Sequence, residues 1–114
     1  MAKAKFTNVD RDKDTKIDHF LGEFTYDGES GSANLDQISI SLNEEGIPLN
    51  KVRLKIGEGN FQPLEQGIFA SANYGETVTL EIAKDGGLSK GKHLLNIRCD
   101  AGYTPLSFAL EGTV

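Results

Sequence analysis

Apolar residues occupy every second position in six separate runs along the chain. Phe20, Gly22, Phe24 and Tyr26 share one parity, with Leu21, Glu23 and Thr25 between them. Ile38, Ile40 and Leu42 alternate with serines, and Val52, Leu54 and Ile56 with Arg53 and Lys55. Val78, Leu80 and Ile82 alternate with Thr79 and Glu81, Leu95, Ile97 and Cys99 with Asn96 and Arg98, and Leu106, Phe108 and Leu110 complete the set. A period of two sends successive side chains to opposite faces of an extended chain, so each run predicts a strand with one face buried and one wet. Asn43-Glu44-Glu45-Gly46, Gly57-Glu58-Gly59-Asn60, Asp85-Gly86-Gly87 and Asp100-Ala101-Gly102 separate the runs and predict reversals. No window of roughly eleven residues carries a helical period. The prediction is an all-β, antiparallel two-sheet β-sandwich, immunoglobulin-like or jelly-roll-like, with seven to nine short strands. Ile38, Ile40, Leu42, Val52, Leu54, Ile56, Val78, Leu80, Ile82, Leu95 and Ile97 should face inward, whereas Arg53, Lys55, Thr79 and Asn96 should be less buried than their apolar neighbours. A slip of one residue would reverse each row.

Three segments break the alternation. Residues 1–16 read as an extended N-terminal arm. Asp10 to Asp18, which overlaps its end, alternates in sign and resembles the start of a calcium loop, which needs a Gly at the sixth position and a Glu at the twelfth. Those positions hold Thr15 and Leu21, so a solvated loop is expected. Gly28 to Asn34 reads as a flexible connection between sheets. Phe61 to Gly75 carries three aromatics without clean alternation, and Pro63 excludes a central strand there. Such a segment either covers the core or presents a binding surface. Phe61, Phe69 and Tyr74 are therefore the candidate partner-interface residues.

Length and charge narrow the function classes. At 114 residues the chain is one domain, spanning 1–114. Its formal charge of −5 and pI near 4.9 give no general attraction to nucleic acid or anionic lipid. The basic start, Met1-Ala2-Lys3-Ala4-Lys5, is not followed by the apolar run of a secretory signal, and no stretch approaches a membrane span. Cys99 has no partner in the chain and implies no oxidising compartment. A cytoplasmic protein that contacts neither nucleic acid nor membrane is expected.

Catalytic chemistry is not visible. His19 and His93 stand apart, and with Cys99 they make three Cys/His residues, fewer than a structural zinc site takes. Cys99 is in phase with Leu95 and Ile97, so it should be a buried, unreactive thiol. No serine lies in a Gly-x-Ser-x-Gly elbow, and Gly57-Glu58-Gly59 lacks the third glycine and the helix of a phosphate loop. Carboxylates are plentiful, but no spacing pairs them. The expectation is no catalytic, metal-binding or cofactor-binding residue in this chain.

Three pieces in order resemble a known family. Ile38-Ser39-Ile40-Ser41-Leu42-Asn43-Glu44-Glu45-Gly46-Ile47-Pro48-Leu49-Asn50-Lys51-Val52-Arg53-Leu54 reads as strand, turn with Ile-Pro, and strand. Tyr74-Gly75-Glu76-Thr77-Val78-Thr79-Leu80 follows as an aromatic-Gly-Glu lead into a strand, and Gly86-Gly87-Leu88-Ser89-Lys90-Gly91-Lys92-His93 as a hairpin. Together they are similar to the small, or beta, subunit of bacterial C-glycoside deglycosidases. The resemblance implies an accessory β-sandwich bound to a large barrel-fold catalytic subunit in a hetero-oligomer. It implies that a divalent metal resides in that partner, and that the pair cleaves the carbon–carbon bond between a 3-keto sugar and an aromatic aglycone. The alternatives are a stand-alone immunoglobulin-like or carbohydrate-binding module, and a self-sufficient enzyme with dispersed carboxylates.

Overall fold

All six alternating runs lie in strands of the computed structural model, which describes residues 2–114, except that Tyr26 falls just past the end of its strand. In chain order the strands are β1 (Ala2–Lys3), β2 (Lys5–Val9), β3 (His19–Thr25), β4 (Gly31–Leu42), β5 (Glu45–Ile47), β6 (Val52–Ile56), β7 (Gln62–Pro63), β8 (Ile68–Ala72), β9 (Thr77–Ala83), β10 (Lys92–Ala101) and β11 (Thr104–Thr113). One turn of 3-10 helix, Leu49–Lys51, precedes β6. The described residues thus form more strands than the seven to nine expected, because β1, β5 and β7 are edge pieces of two or three residues. Pro63 lies in β7, at the edge of its sheet, where a missing N–H removes nothing from the ladder.

The strands form two packed sheets, an all-β sandwich. The first has the order β1-β11-β10-β4-β5, with β8 also pairing β4. The second has the order β2-β3-β9-β6-β7. Every pairing is antiparallel except that of β1 with β11. β4 is long enough to take two partners on one side: β5 pairs its C-terminal part and β8 its N-terminal part.

The N-terminal segment is not an extended arm. β1 pairs with β11 and β2 with β3, so the chain passes from one sheet to the other at Ala4. Phe6 inserts into the core at 6% exposure, the one fully buried side chain of β2. The crossing is close: a Cβ on Gly112 would collide with the Ala4 carbonyl and the Phe6 ring, so only glycine fits there. Residues 10–18 form the irregular loop that follows.

Nine of the eleven residues expected inside are buried; Ile56 and Ile97 are half-buried. Burial is deepest at Phe20, Val52, Ile82, Leu95 and Leu110. Ile56 and Ile97 lie toward the other end, where both residues line a cleft between the sheets.

Two departures from simple alternation have local causes. Thr79 and Glu81 are as buried as their inward neighbours, although they lie on the outward face of β9. Val78, Leu80 and Ile82 still face the core, so this is no register slip; instead, long side chains lie over the outer face. In β4, Gln37 and Ile38 together oppose Cys99 of β10, a β-bulge with Gln37 at φ 53°.

Candidate docking surface

The open end of the sandwich is built by the C-terminal ends of β8 and β10 and the N-terminal ends of β4, β9 and β11. It is tied together by the backbone: Gly75 donates to the Tyr26 carbonyl, Tyr26 to that of Glu76, and Gly102 to that of Asn34. Ser30 Oγ accepts from the Tyr74 N–H at 2.9 Å, and the Tyr26 hydroxyl donates to the Glu29 carbonyl at 2.8 Å. Between the sheets at this end lies a cleft of about 450 Å³. Leu54, Leu64 and Leu80 form its buried floor, and the exposed Ser30, Ser32 and Thr104 stand at its mouth.

The exposed large hydrophobic side chains among the described residues are Phe69, at 61%, Tyr74, at 73%, and Tyr103, which is fully exposed. All three belong to this end. Phe69 is the cross-strand partner of Asn34 on one side of β4, and the β10–β11 turn bearing Tyr103 meets Asn34 from the other. Tyr74 sits in the β8–β9 turn beside Ser30. Soluble domains do not usually gather exposed aromatics at one end, and aromatic side chains are enriched at the centres of interfaces.

Phe61 is elsewhere. It lies on the outer face of the second sheet with Arg53 at 5.2 Å, Lys55 at 5.4 Å and Arg11 at 5.9 Å from its ring centroid. Below these cations is Glu81, 2% exposed. Its Oε2 accepts from Arg11 Nε at 2.7 Å and its Oε1 from Arg53 Nε at 2.8 Å. His19 comes within 4.0 Å of the same carboxylate and bonds Asp18 at 2.8 Å. A buried carboxylate is tolerable only with such partners. Strand register explains the cluster, since Leu21, Glu81 and Arg53 occupy one rung across β3, β9 and β6. The structure therefore places Phe69 and Tyr74 at one end and Phe61 among cations on the outer face of the second sheet.

The family model of the C-glycoside deglycosidase beta subunit matches residues 2–103. The chain belongs to that family. Among curated proteins no match is found. The matched region includes every strand from β1 to β10, with Phe69, Tyr74 and Tyr103 of the open end; β11 lies beyond it.

Other polar groups of this beta subunit are engaged by its own backbone. Asp10, Asp12 and Asp18 bring carboxylate oxygens within 4.8 Å of one another. Asp10 accepts from the Lys13 and Thr15 N–H groups, each at 2.8 Å, and Asp18 from that of Arg11 at 2.9 Å. The Arg11 N–H, with the His19 ring, lowers the Asp18 carboxyl to about 2, whereas hydrogen bonding to Asp10 raises Asp12 to about 6. His93 is buried; Asn43 Nδ2 donates to its Nδ1 at 2.9 Å and its Nε2–H donates to the Ser89 carbonyl at 2.7 Å. The tautomer is fixed because the Asn43 Oδ1 accepts the Leu94 N–H. Cys99 is buried and free, and burial raises its thiol.

Sequence reasoning missed Tyr103, Glu81 and the role of Arg11. Tyr103 follows a turn glycine, which was a usable signal for exposure. Glu81 was not: its parity predicts a wet face, and only the partners across the sheet bury it.

Proposed function

We propose that this chain is the accessory, non-catalytic subunit of a hetero-oligomeric C-glycoside deglycosidase. It seats its open end on a large, metal-dependent barrel subunit that cleaves the carbon–carbon bond of a 3-keto C-glycoside. Family membership supports a subunit role, and the gathering of Phe69, Tyr74 and Tyr103 at one end is the observation that carries the docking face. A stable interface buries about 800 Å² per partner, with a few aromatics supplying much of the energy. On this reading the sandwich holds the large subunit in its working shape, while acid, base and divalent metal belong to the partner, in the cytoplasm.

The test is co-expression with the large subunit. The expected result is a complex that survives purification and cleaves a 3-keto C-glycoside, with the isolated chain inactive. Cleavage by the chain alone at a rate comparable to the pair would overturn the reading. So would a chain that binds free sugars and ignores the large subunit, which is the behaviour of a carbohydrate-binding module.

A further inference from the structure

The cleft at the open end has the dimensions and the lining of a small-molecule site rather than those of a packing defect. At about 450 Å³ it lies within the range of roughly 300–1,000 Å³ typical of such sites. One side is aromatic: the Phe108 ring lies 5.4 Å from Phe24 at 45° and 6.3 Å from Tyr26 at 55°. Across β10, the other side is the ribbon of β4 and β8, where the paired residues Ala33 and Ala70, and Gly31 and Ala72, border the cleft. Small side chains on that ribbon leave the space that leucines would fill. The one charged side chain of the lining is Glu29, exposed at the mouth.

From this geometry we infer that the cleft binds a neutral, flat ring compound of two or three rings. Two facing sheets stand about 10 Å apart, which shapes the gap between them as a slot and favours a planar guest. The Phe24–Tyr26–Phe108 cluster offers ring edges and faces at the offsets aromatic contacts prefer. A charged guest would lose its hydration against Leu54, Leu80 and Ile97, where no counter-charge stands, since Glu29 is out at the mouth. Polar substituents are accepted at the mouth, where Ser30, Thr104 and the oxygen of Tyr26 stand.

The cleft also contains its own reporter, since Cys99 lines it. The full chain is titrated with N-phenyl-1-naphthylamine, a neutral ring probe, while its fluorescence is followed. A saturable one-to-one rise is expected. Ala70→Phe and Ala72→Leu, which fill the slot from the ribbon, should weaken the affinity at least tenfold without lowering the melting temperature. Saturating probe should also slow the alkylation of Cys99 by a small uncharged reagent several-fold, a measurement that needs no variant. Absence of saturable binding overturns the inference, as does undiminished binding by folded filling variants or unchanged labelling of Cys99. If a second copy of the chain occupies the cleft, the protein elutes as a dimer and takes up no probe, and the inference fails.

Discussion

The carboxamide of Gln66 hydrogen-bonds both backbone groups of Ile38, accepting its N–H at 2.8 Å and donating to its carbonyl at 3.0 Å. Ile38 lies at the bulge of β4, between the stretches paired by β5 and β8, so no strand backbone reaches it on that side. The side chain stands in for the missing strand. Asn8 does the same for Leu88, donating to its carbonyl at 2.9 Å and accepting its N–H at 2.8 Å. Gln66→Ala leaves two partly buried polar groups without partners, a cost of about 1–3 kcal/mol. Thermal melts should show a drop of roughly 4 °C or more per kcal/mol. Gln66→Glu keeps the acceptor and loses the donor, so its melting temperature should fall between those of Ala and wild type.

Arg53 should matter more than Arg11. It donates to Glu81 from Nε and Nη2, whereas Arg11 donates from Nε alone. Removing either weakens the solvation of a carboxylate that water does not reach. Arg53→Met is expected to cost about 2 kcal/mol and Arg11→Met about half that, from the strength of hydrogen bonds to charged groups. Equal losses in urea titrations would contradict this ranking.

The Asp10–Asp18 loop predicts two pH effects of opposite sign. Asp18 is lowered to about 2 from 3.8, chiefly by the Arg11 N–H. Its contribution is present above about pH 4 and is lost as the pH falls toward 2. Asp12 is raised to about 6, chiefly by its hydrogen bond to Asp10, so its contribution is full below about pH 4 and lost as the pH rises through 6. Melts from pH 2 to 8 should show that Asp12→Asn raises stability at pH 7 and removes the slope between 4 and 6. Asp18→Asn should lower stability at pH 7 and remove the slope below 4.

The aromatics should separate into two classes. Phe69→Ala and Tyr74→Ala remove exposed rings and should leave the melting temperature of the isolated chain unchanged. If these rings anchor the large subunit, each loss weakens assembly by about 2 kcal/mol or more. Phe61→Ala should do the reverse, lowering stability by about 1 kcal/mol as three cations lose their ring. Paired measurements of melting temperature and co-purification distinguish the classes.

Alternation was enough to place the strands because each buries one face, and a period of two leaves little ambiguity about which. It failed where burial comes from sideways cover: Glu81 looks wet from its parity and is dry beneath Arg11 and Arg53, and Thr79 is dry between Glu23 and Lys55 on its rung. It also failed at the N-terminus, where Phe6 was one large apolar residue in a basic and polar stretch and its partner strand lay beyond the loop. Of the candidate interface, the sequence showed the residue types but not their separation in space. Phe69 and Tyr74 shared a segment with Phe61, but proximity along the chain did not survive folding, since β7 and β8 belong to different sheets. The cleft was not legible, because its walls come from both sheets and its defining residues are alanines and a glycine.

The pairing of β1 with β11 joins residues that lie nearly the whole chain apart, Ala2 beside Leu110 and Lys3 beside Glu111. On a ribosome the first of these segments is made well before the second and waits for it. That edge of its sheet cannot be completed until β11 has been made, so the N–H and C=O groups of β10 on that side stay unpaired until then. Contacts of such long sequence separation form slowly. The domain is therefore expected to acquire its native form in one late step rather than strand by strand, with its unpaired edges exposed to other nascent chains until then.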